Sequence, residues 1–165
     1  MSVKGEETLD PASRLDEAIR GLRVVWLGLL AGLAMMLGVV LFLGPIGGDG
    51  SLTVPLLAVF GLLVTSSFAA AFVLDRAFVT RIAARAPELR SLADPLAPVL
   101  GEYRGHSIVM LGLAEGPGLF CGPAYLVTGS PFFLAGGVLA FAVLLSRMPS
   151  EGGLRRSVER AIGAA

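Results

Sequence analysis

Glu115 is the residue whose type and position favour chemistry most strongly, because it is the one acidic residue inside a long apolar run. That run covers residues 107–128. At about 1.5 Å per residue, Glu115 lies roughly 15 Å from the start of the run, near the middle of a bilayer core about 30 Å thick. An ionised carboxylate at that depth costs at least about 2.5–3.5 kcal/mol. The carboxyl group must therefore be paired, hydrated or protonated.

Three hydroxyl side chains, Thr65, Ser66 and Ser67, lie in another apolar run, residues 52–74. They are about nine residues from the end of that run, which places them at nearly the depth of Glu115. A hydroxyl group can donate to a carboxylate or accept from a carboxylic acid. We therefore predict a candidate ion- or proton-binding site of Glu115, Thr65, Ser66 and Ser67. Two other roles for Glu115 remain open: a packing contact between helices, and recognition of a substrate or partner.

The helix face around Glu115 is short of side chains. At 3.6 residues per turn, Gly112, Gly118 and Gly122 lie within about 60° of Glu115. Pro117 and Pro123 each remove one backbone hydrogen bond, and broken helices at mid-membrane form the binding sites of many transporters. We therefore predict a helix break beside the acid, at the following residues: Gly116, Pro117, Gly118 and Pro123.

Small residues four positions apart recur in three of the apolar runs. This spacing lets membrane helices approach closely. Such contacts form either within one bundle or between copies of the chain, and the sequence leaves both open. The predicted packing residues are Gly28, Gly32, Gly112, Gly122 and Gly136.

Other chemistries have little support in the composition. The chain has one cysteine, Cys121, and one histidine, His106, so it has no internal disulfide and no multi-cysteine or multi-histidine metal site. No phosphate loop, nucleophile elbow or zinc-protease motif occurs. We therefore expect no enzyme activity, no metal, no cofactor and no nucleic-acid partner.

Composition and hydropathy predict an all-α membrane protein. Hydrophobic residues make up 55% of the 165 residues, and charged residues only 16%. A spanning helix needs roughly 20 apolar residues, or about 17 at the short end. The predicted spans form a four-helix bundle and cover residues 22–43, 52–74, 107–128 and 131–148. The last of these is the shortest.

The thirteen basic residues lie on one side of this arrangement. Four precede or begin the first span, five separate the second span from the third, and four follow or end the fourth. The positive-inside rule then places both termini and the middle link in the cytoplasm. We expect a multi-pass protein of the inner (plasma) membrane, with the lipid bilayer as its main partner.

The connections predict two antiparallel hairpins. Residues 44–51 and the Gly129-Ser130 turn are short, whereas the link 75–105 is long. Its apolar residues, like those of the N-terminal segment 1–20, have a spacing that favours amphipathic helices at the membrane interface. Residues 149–165 are a cytoplasmic tail.

Part of the third span resembles a signature of small bacterial four-span membrane proteins, leucine-x-glutamate-glycine-proline-x-leucine-phenylalanine followed by threonine-glycine. The resemblance covers about 27 residues and implies the four-span fold without an activity. Its matching residues are Tyr103-Arg104, Ile108, Ala114–Phe120, Ala124–Leu126 and Thr128-Gly129.

The same span is locally similar to the carboxylate helix of the proteolipid (c) subunits of rotary ATPases. The similarity implies that Glu115 carries a proton. This chain departs from that family in three respects. Its first two spans lack the glycine-repeat helix, its link has about thirty residues, and its acid lies in the third span instead of the last.

Two functions follow from these patterns. The first is a non-enzymatic structural or accessory membrane component, alone, as a homo-oligomer or with other membrane subunits, in which Glu115 fixes helix packing. The alternative is a small proton- or cation-coupled transporter or channel that loads this intramembrane glutamate.

Overall fold

The computed structural model describes residues 11–48, 50–92 and 97–163, and these residues form helices joined by short loops. Within those ranges there is no strand, so the predicted all-α class is confirmed. The helices are α1 (Pro11–Leu43), α2 (Thr53–Ala84), α3 (Ala86–Arg90), α4 (Leu100–Thr128), α5 (Pro131–Ser146) and α6 (Glu151–Gly163), with a 3₁₀ turn at Ala97–Val99.

Three of the helices are long and apolar enough to cross a membrane: α1 from Leu15, α2 and α4. The apolar helix α5 is shorter, with 16 residues. These four helices overlap the four predicted apolar runs; α1, α2 and α4 extend beyond them at one end, and α5 is slightly shorter than its run.

Helix α4 lies at the centre, because α1, α2 and α5 all pack against it. Along α1, Gly21 lies beside Arg104, Gly32 beside Glu115 and Met36 beside Gly122, so α1 and α4 run parallel. Helix α5 also packs on α1, whereas α1 and α2 hardly touch. The predicted pair of hairpins is therefore not confirmed, since α1 packs on α4 and α5 in place of α2.

Helices α2 and α5 run antiparallel to α4. Phe60 of α2 stacks on Phe120, and Phe78 stacks on His106. At the level of Gly118, α5 and α1 both come close to α4. A Cβ atom on Gly118 would lie 2.7 Å from Cβ of Ala140 and 3.3 Å from the side chain of Leu33. Only a residue without a side chain allows this approach.

The loop after α1 folds over the C-terminal end of α4. The backbone N–H groups of Ile46 and Gly47 donate to the carbonyl of Leu126, at 2.9 and 3.3 Å. Gly48 has φ +139°, and a Cβ there would lie 3.0 Å from the Thr128 carbonyl oxygen. Gly129 ends α4 in the left-handed conformation, with φ 66°, as is common for a helix C-terminus. We call this end of the bundle the apical end.

At the opposite, basal end the helices share a small apolar core. Its buried residues are Phe78, Ile82, Leu89, Val99 and Leu154. Leu89 and Val99 belong to the link, and both face protein. The predicted interfacial helices are therefore not confirmed in the described part of the link.

The N-terminal segment behaves similarly where the structure describes it. Ala18, Ile19 and Leu22 are buried within α1, which is continuous from Pro11. These apolar side chains therefore pack against other parts of the protein. Residues 1–10 of the segment and 93–96 of the link lie outside the described residues.

The close approach at Gly118 can be tested with a pair of substitutions in α4. We expect Gly118→Ala to destabilise the protein by about 1–3 kcal/mol, because the added methyl group overpacks the contact with Ala140. Gly112→Ala is the matched control, since a Cβ at Gly112 meets nothing within 4 Å. Thermal unfolding in one detergent should show a lower melting temperature for Gly118→Ala alone. Equal melting temperatures for the two variants would contradict the packing described here.

Candidate functional site

Glu115 projects from α4 towards α1, where it is buried with 9% of its surface exposed. Its Oε1 atom lies 3.8 Å from the position that a Cβ on Gly32 would occupy. The absence of a side chain at Gly32 leaves room for the carboxyl group. Glu115, Gly118 and Gly122 all face α1, against Gly32, Leu33 and Met36, and they form the α1–α4 contact.

Among the described residues, no hydrogen bond or ion pair reaches the Glu115 carboxyl group. Burying a charged group without a partner is costly. The neutral carboxyl is therefore the form that fits this contact, and it fills space between two helices.

The predicted hydroxyl partners lie elsewhere. Thr65 Oγ1 donates to the carbonyl of Gly61 at 2.8 Å, and Ser66 Oγ donates to that of Leu63 at 3.0 Å. Both residues are exposed on the surface of α2. Ser67 instead lines a cleft that Glu115 does not line. The contacts of Phe60 and Phe78 with α4 put this part of α2 near the level of Glu115, but the structure does not bring the hydroxyls and Glu115 together.

The predicted helix break is not found. Helix α4 is continuous through Gly116, Pro117, Gly118 and Pro123. Each proline removes one backbone hydrogen bond, and the remaining bonds and the packing on three sides hold the helix. In a lipid environment an opened backbone would have no other partners, which favours the intact helix.

The predicted packing glycines divide into two groups. A Cβ on Gly28 or Gly112 would meet nothing within 4 Å, whereas one on Gly122 would lie 2.5 Å from Met36 Sδ. A Cβ on Gly136 would lie 2.9 Å from Cys121 Sγ. The close contacts of the bundle are therefore at Gly118, Gly122 and Gly136, whereas a Cβ on Gly32 would make an ordinary van der Waals contact with Glu115.

Gly137 makes another close contact that was missing from the predicted set. A Cβ there would lie 2.9 Å from Leu37 Cδ2 of α1. The Gly136-Gly137 doublet in an otherwise bulky apolar run was the sequence signal for it. Neighbouring helical residues lie about 100° apart, so one glycine faces α4 and the other faces α1.

Two polar contacts join helices outside the predicted site. Trp26 Nε1 of α1 donates to the Leu144 carbonyl near the end of α5, at 2.7 Å. Arg85 Nη1, just after α2, donates to Glu102 Oε1 of α4 at 2.8 Å. The sequence signal was weak in both cases, because the partners are 118 and 17 residues apart and no local spacing pairs them.

A cleft of about 670 Å³ lies between α2 and α5, with α4 as its floor and α6 at its basal end. Its basal end is polar and is lined by Asp75, His106, Arg147 and Arg156. His106 stacks on Phe78 with 4.6 Å between ring centroids, and its Nε2 lies 3.6 Å from Asp75 Oδ1. The cleft and Glu115 are therefore on different sides of α4.

Comparisons with known proteins identified no relative of this chain. No family model, no curated protein and no solved structure matches this chain. In the described ranges, no group of three His, Cys, Asp or Glu side chains is arranged to hold a metal ion.

The contact between Glu115 and Gly32 predicts that a larger side chain at position 32 is tolerated better when the side chain at position 115 is shortened. We expect Gly32→Leu to destabilise the protein by about 1–3 kcal/mol through overpacking. Combining it with Glu115→Ala, which vacates the space, should recover part of that loss, with a coupling of at least about 0.5 kcal/mol. The measurement is thermal unfolding of the single and double variants.

Gly28→Leu is the control on the same helix, because a Cβ at Gly28 faces open space. Its effect should add to that of Glu115→Ala without coupling. If the destabilising effects of Gly32→Leu and Glu115→Ala also add without coupling, Glu115 does not occupy the space beside Gly32.

Proposed function

We propose that this chain is a four-span membrane protein that acts as a non-enzymatic structural or accessory component, with Glu115 as a packing residue. The observation that carries the proposal is the placement of the buried carboxyl group. It lies against Gly32 in the α1–α4 contact and does not line the cleft. A carboxyl that loads ions needs a hydrated route and further oxygen or nitrogen ligands. The hydroxyls proposed as ligands, Thr65 and Ser66, bond within α2 instead.

The other polar contacts between helices support the same role. Trp26 joins α1 to α5, and Arg85 joins the end of α2 to the start of α4. Arg23 Nε donates to the Pro149 carbonyl at 3.3 Å, which ties α1 to the segment before α6. The polar side chains thus hold helices together, as expected of a scaffold or an accessory subunit.

The proposed orientation has the basal end in the cytoplasm and the apical end outside, in the inner (plasma) membrane. The apical loop 44–51 and the Gly129-Ser130 turn contain no basic residue. The basic residues of the described chain that contact another helix or line the cleft are basal: Arg23, Arg85, Arg104, Arg147 and Arg156. This asymmetry is the one that the positive-inside rule requires.

The topology can be tested by labelling introduced cysteines in intact cells with a membrane-impermeant maleimide. We expect Ser51→Cys to react from outside, and Ser91→Cys and Gly152→Cys to react only after permeabilisation. All three positions are exposed, and the native Cys121 is buried and provides the unreactive background. Labelling of Gly152→Cys from outside would show that α5 does not cross the membrane, because its far end would then share the side of Ser51.

The packing role of Glu115 predicts no proton transport. We expect liposomes containing the wild-type chain or the Glu115→Gln variant to dissipate a pH gradient at the rate of protein-free liposomes. Glu115→Gln should also insert and fold normally, because the amide has nearly the size of the neutral carboxyl. A proton flux in the wild type that Glu115→Gln abolishes would overturn the packing role in favour of a transporter.

A further inference from the structure

The cleft between α2 and α5 is a second feature of the molecule, and the packing role of Glu115 does not use it. Both helices pack on α4, but they make no extensive contact with each other among the described residues. The space between them is therefore open towards the side of the bundle. Its volume of about 670 Å³ lies within the usual range for small-molecule sites, about 300–1,000 Å³.

The cleft is closed at its apical end by aromatic rings. The rings of Phe60 and Phe133 meet edge to face with 6.1 Å between centroids, and both contact Phe120 of α4. Phe60 thus joins α2 to α5 above the cleft. A whole spanning helix, which is about 10 Å wide, would be blocked there.

The length of the cleft matches one leaflet of a bilayer. Tyr103 and Pro117 of α4 both line it, and at 1.5 Å per residue they are about 21 Å apart along the helix. Half of a hydrocarbon core about 30 Å thick is about 15 Å. The cleft therefore has room for an acyl chain of one leaflet and for its headgroup region.

The walls and the mouth of the cleft differ in chemistry. The side walls are apolar, with Val64 and Phe68 on α2 and Leu139 and Val143 on α5. At the basal mouth, Asp75 lies near His106. Arg147 and Arg156 form no ion pair with another described residue. Two arginines at the end of an apolar slot complement an anionic headgroup, and arginine binds phosphate through several donors.

We propose that this cleft binds one anionic phospholipid, with an acyl chain between α2 and α5 and its phosphate at Arg147 and Arg156. The lipid comes from the cytoplasmic leaflet, a detail that rests on the proposed orientation. The arginine-rich tail alone is too sparse for a specific lipid site. The fold builds one by bringing Arg156 of α6 to the same mouth as Arg147, which follows α5.

The test uses the full-length chain in detergent micelles, with native mass spectrometry to measure retained phosphatidylglycerol or phosphatidylcholine. We expect one phosphatidylglycerol per chain, retained on the order of tenfold more strongly than phosphatidylcholine. The Arg147→Gln/Arg156→Gln variant should lose this preference. Equal retention of the two lipids by the wild type would overturn the proposal.

A double variant with the same change of charge is the matched control. Arg20→Gln/Arg155→Gln removes two exposed arginines that pair within their own helices, with Asp16 and Glu151, and neither lines the cleft. It should keep the preference for phosphatidylglycerol. If it loses the preference as fully as the first pair does, the lipid is held by general surface charge and the proposed site is wrong.

A second pair of variants tests the acyl-chain slot. Ala71 lines the cleft, whereas Ala69 is exposed on α2 outside it. Ala71→Phe should displace the lipid although both arginines remain, and Ala69→Phe should not. Val143→Phe fills the slot from the other wall if Ala71→Phe does not fold. Retention of the lipid in a folded slot-filling variant would contradict the proposal.

Excess inorganic phosphate distinguishes a lipid from a free anion. Phosphate should not displace phosphatidylglycerol, because the acyl chain contributes most of the binding. Displacement would assign the mouth to a free anion and overturn the lipid site. Neither result depends on the proton-flux or labelling experiments, so the lipid site and the proposed function can fail separately.

Discussion

The bundle depends on the close approach of α1 and α5 to α4 at Gly118. Inside a bilayer the hydrophobic effect does not drive helices together, so association relies on tight packing between small residues. At Gly118 both the Leu33 side chain and Ala140 occupy the space of a missing side chain. Gly122, one turn further, gives the same room to Met36. These contacts fix the face that α4 turns to α1, and Glu115 lies on that face.

The position of Glu115 follows from this arrangement. A carboxyl group one turn before Gly118 must also meet α1, and Gly32 is the small residue that leaves space for it. The hydroxyl-bearing part of α2 packs on a different side of α4. Helix α2 is also the least enclosed of the long helices, since no residue in its most apolar stretch is buried. The hydroxyl groups of Thr65 and Ser66 donate hydrogen bonds to backbone carbonyls of α2 itself, which is common for serine and threonine in helices.

The sequence predicted the elements more successfully than their contacts. Helices α1 and α4 end at Leu43 and Thr128, next to the glycines that predicted the ends, because glycine is a strong local signal. The level of Thr65 and Ser66 along the bundle was also predictable, since the rise per residue is constant. Which face they present depends on which helix lies beside α2, and hydropathy alone does not encode that. The helix break predicted from the prolines of α4 is absent for a related reason. Local propensity favours a break there, and tertiary packing overrides it.

The two sides of α4 differ because α2 and α1 are held in different ways. Helix α1 follows α4 closely over several turns, from Trp26 to Met36. Helix α2 also packs on α4, and its aromatic contacts and buried residues are the rings around Phe60 and the basal core around Phe78 and Ile82. Between them the wall formed by α2 stands apart from α5, and the cleft is the space that remains. A carboxyl group packed between two helices on one side and an open cleft with a basic mouth on the other therefore have the same origin. Glycines bring α1 and α5 onto α4, whereas α2 meets α5 through the ring of Phe60 at the apical end of the cleft.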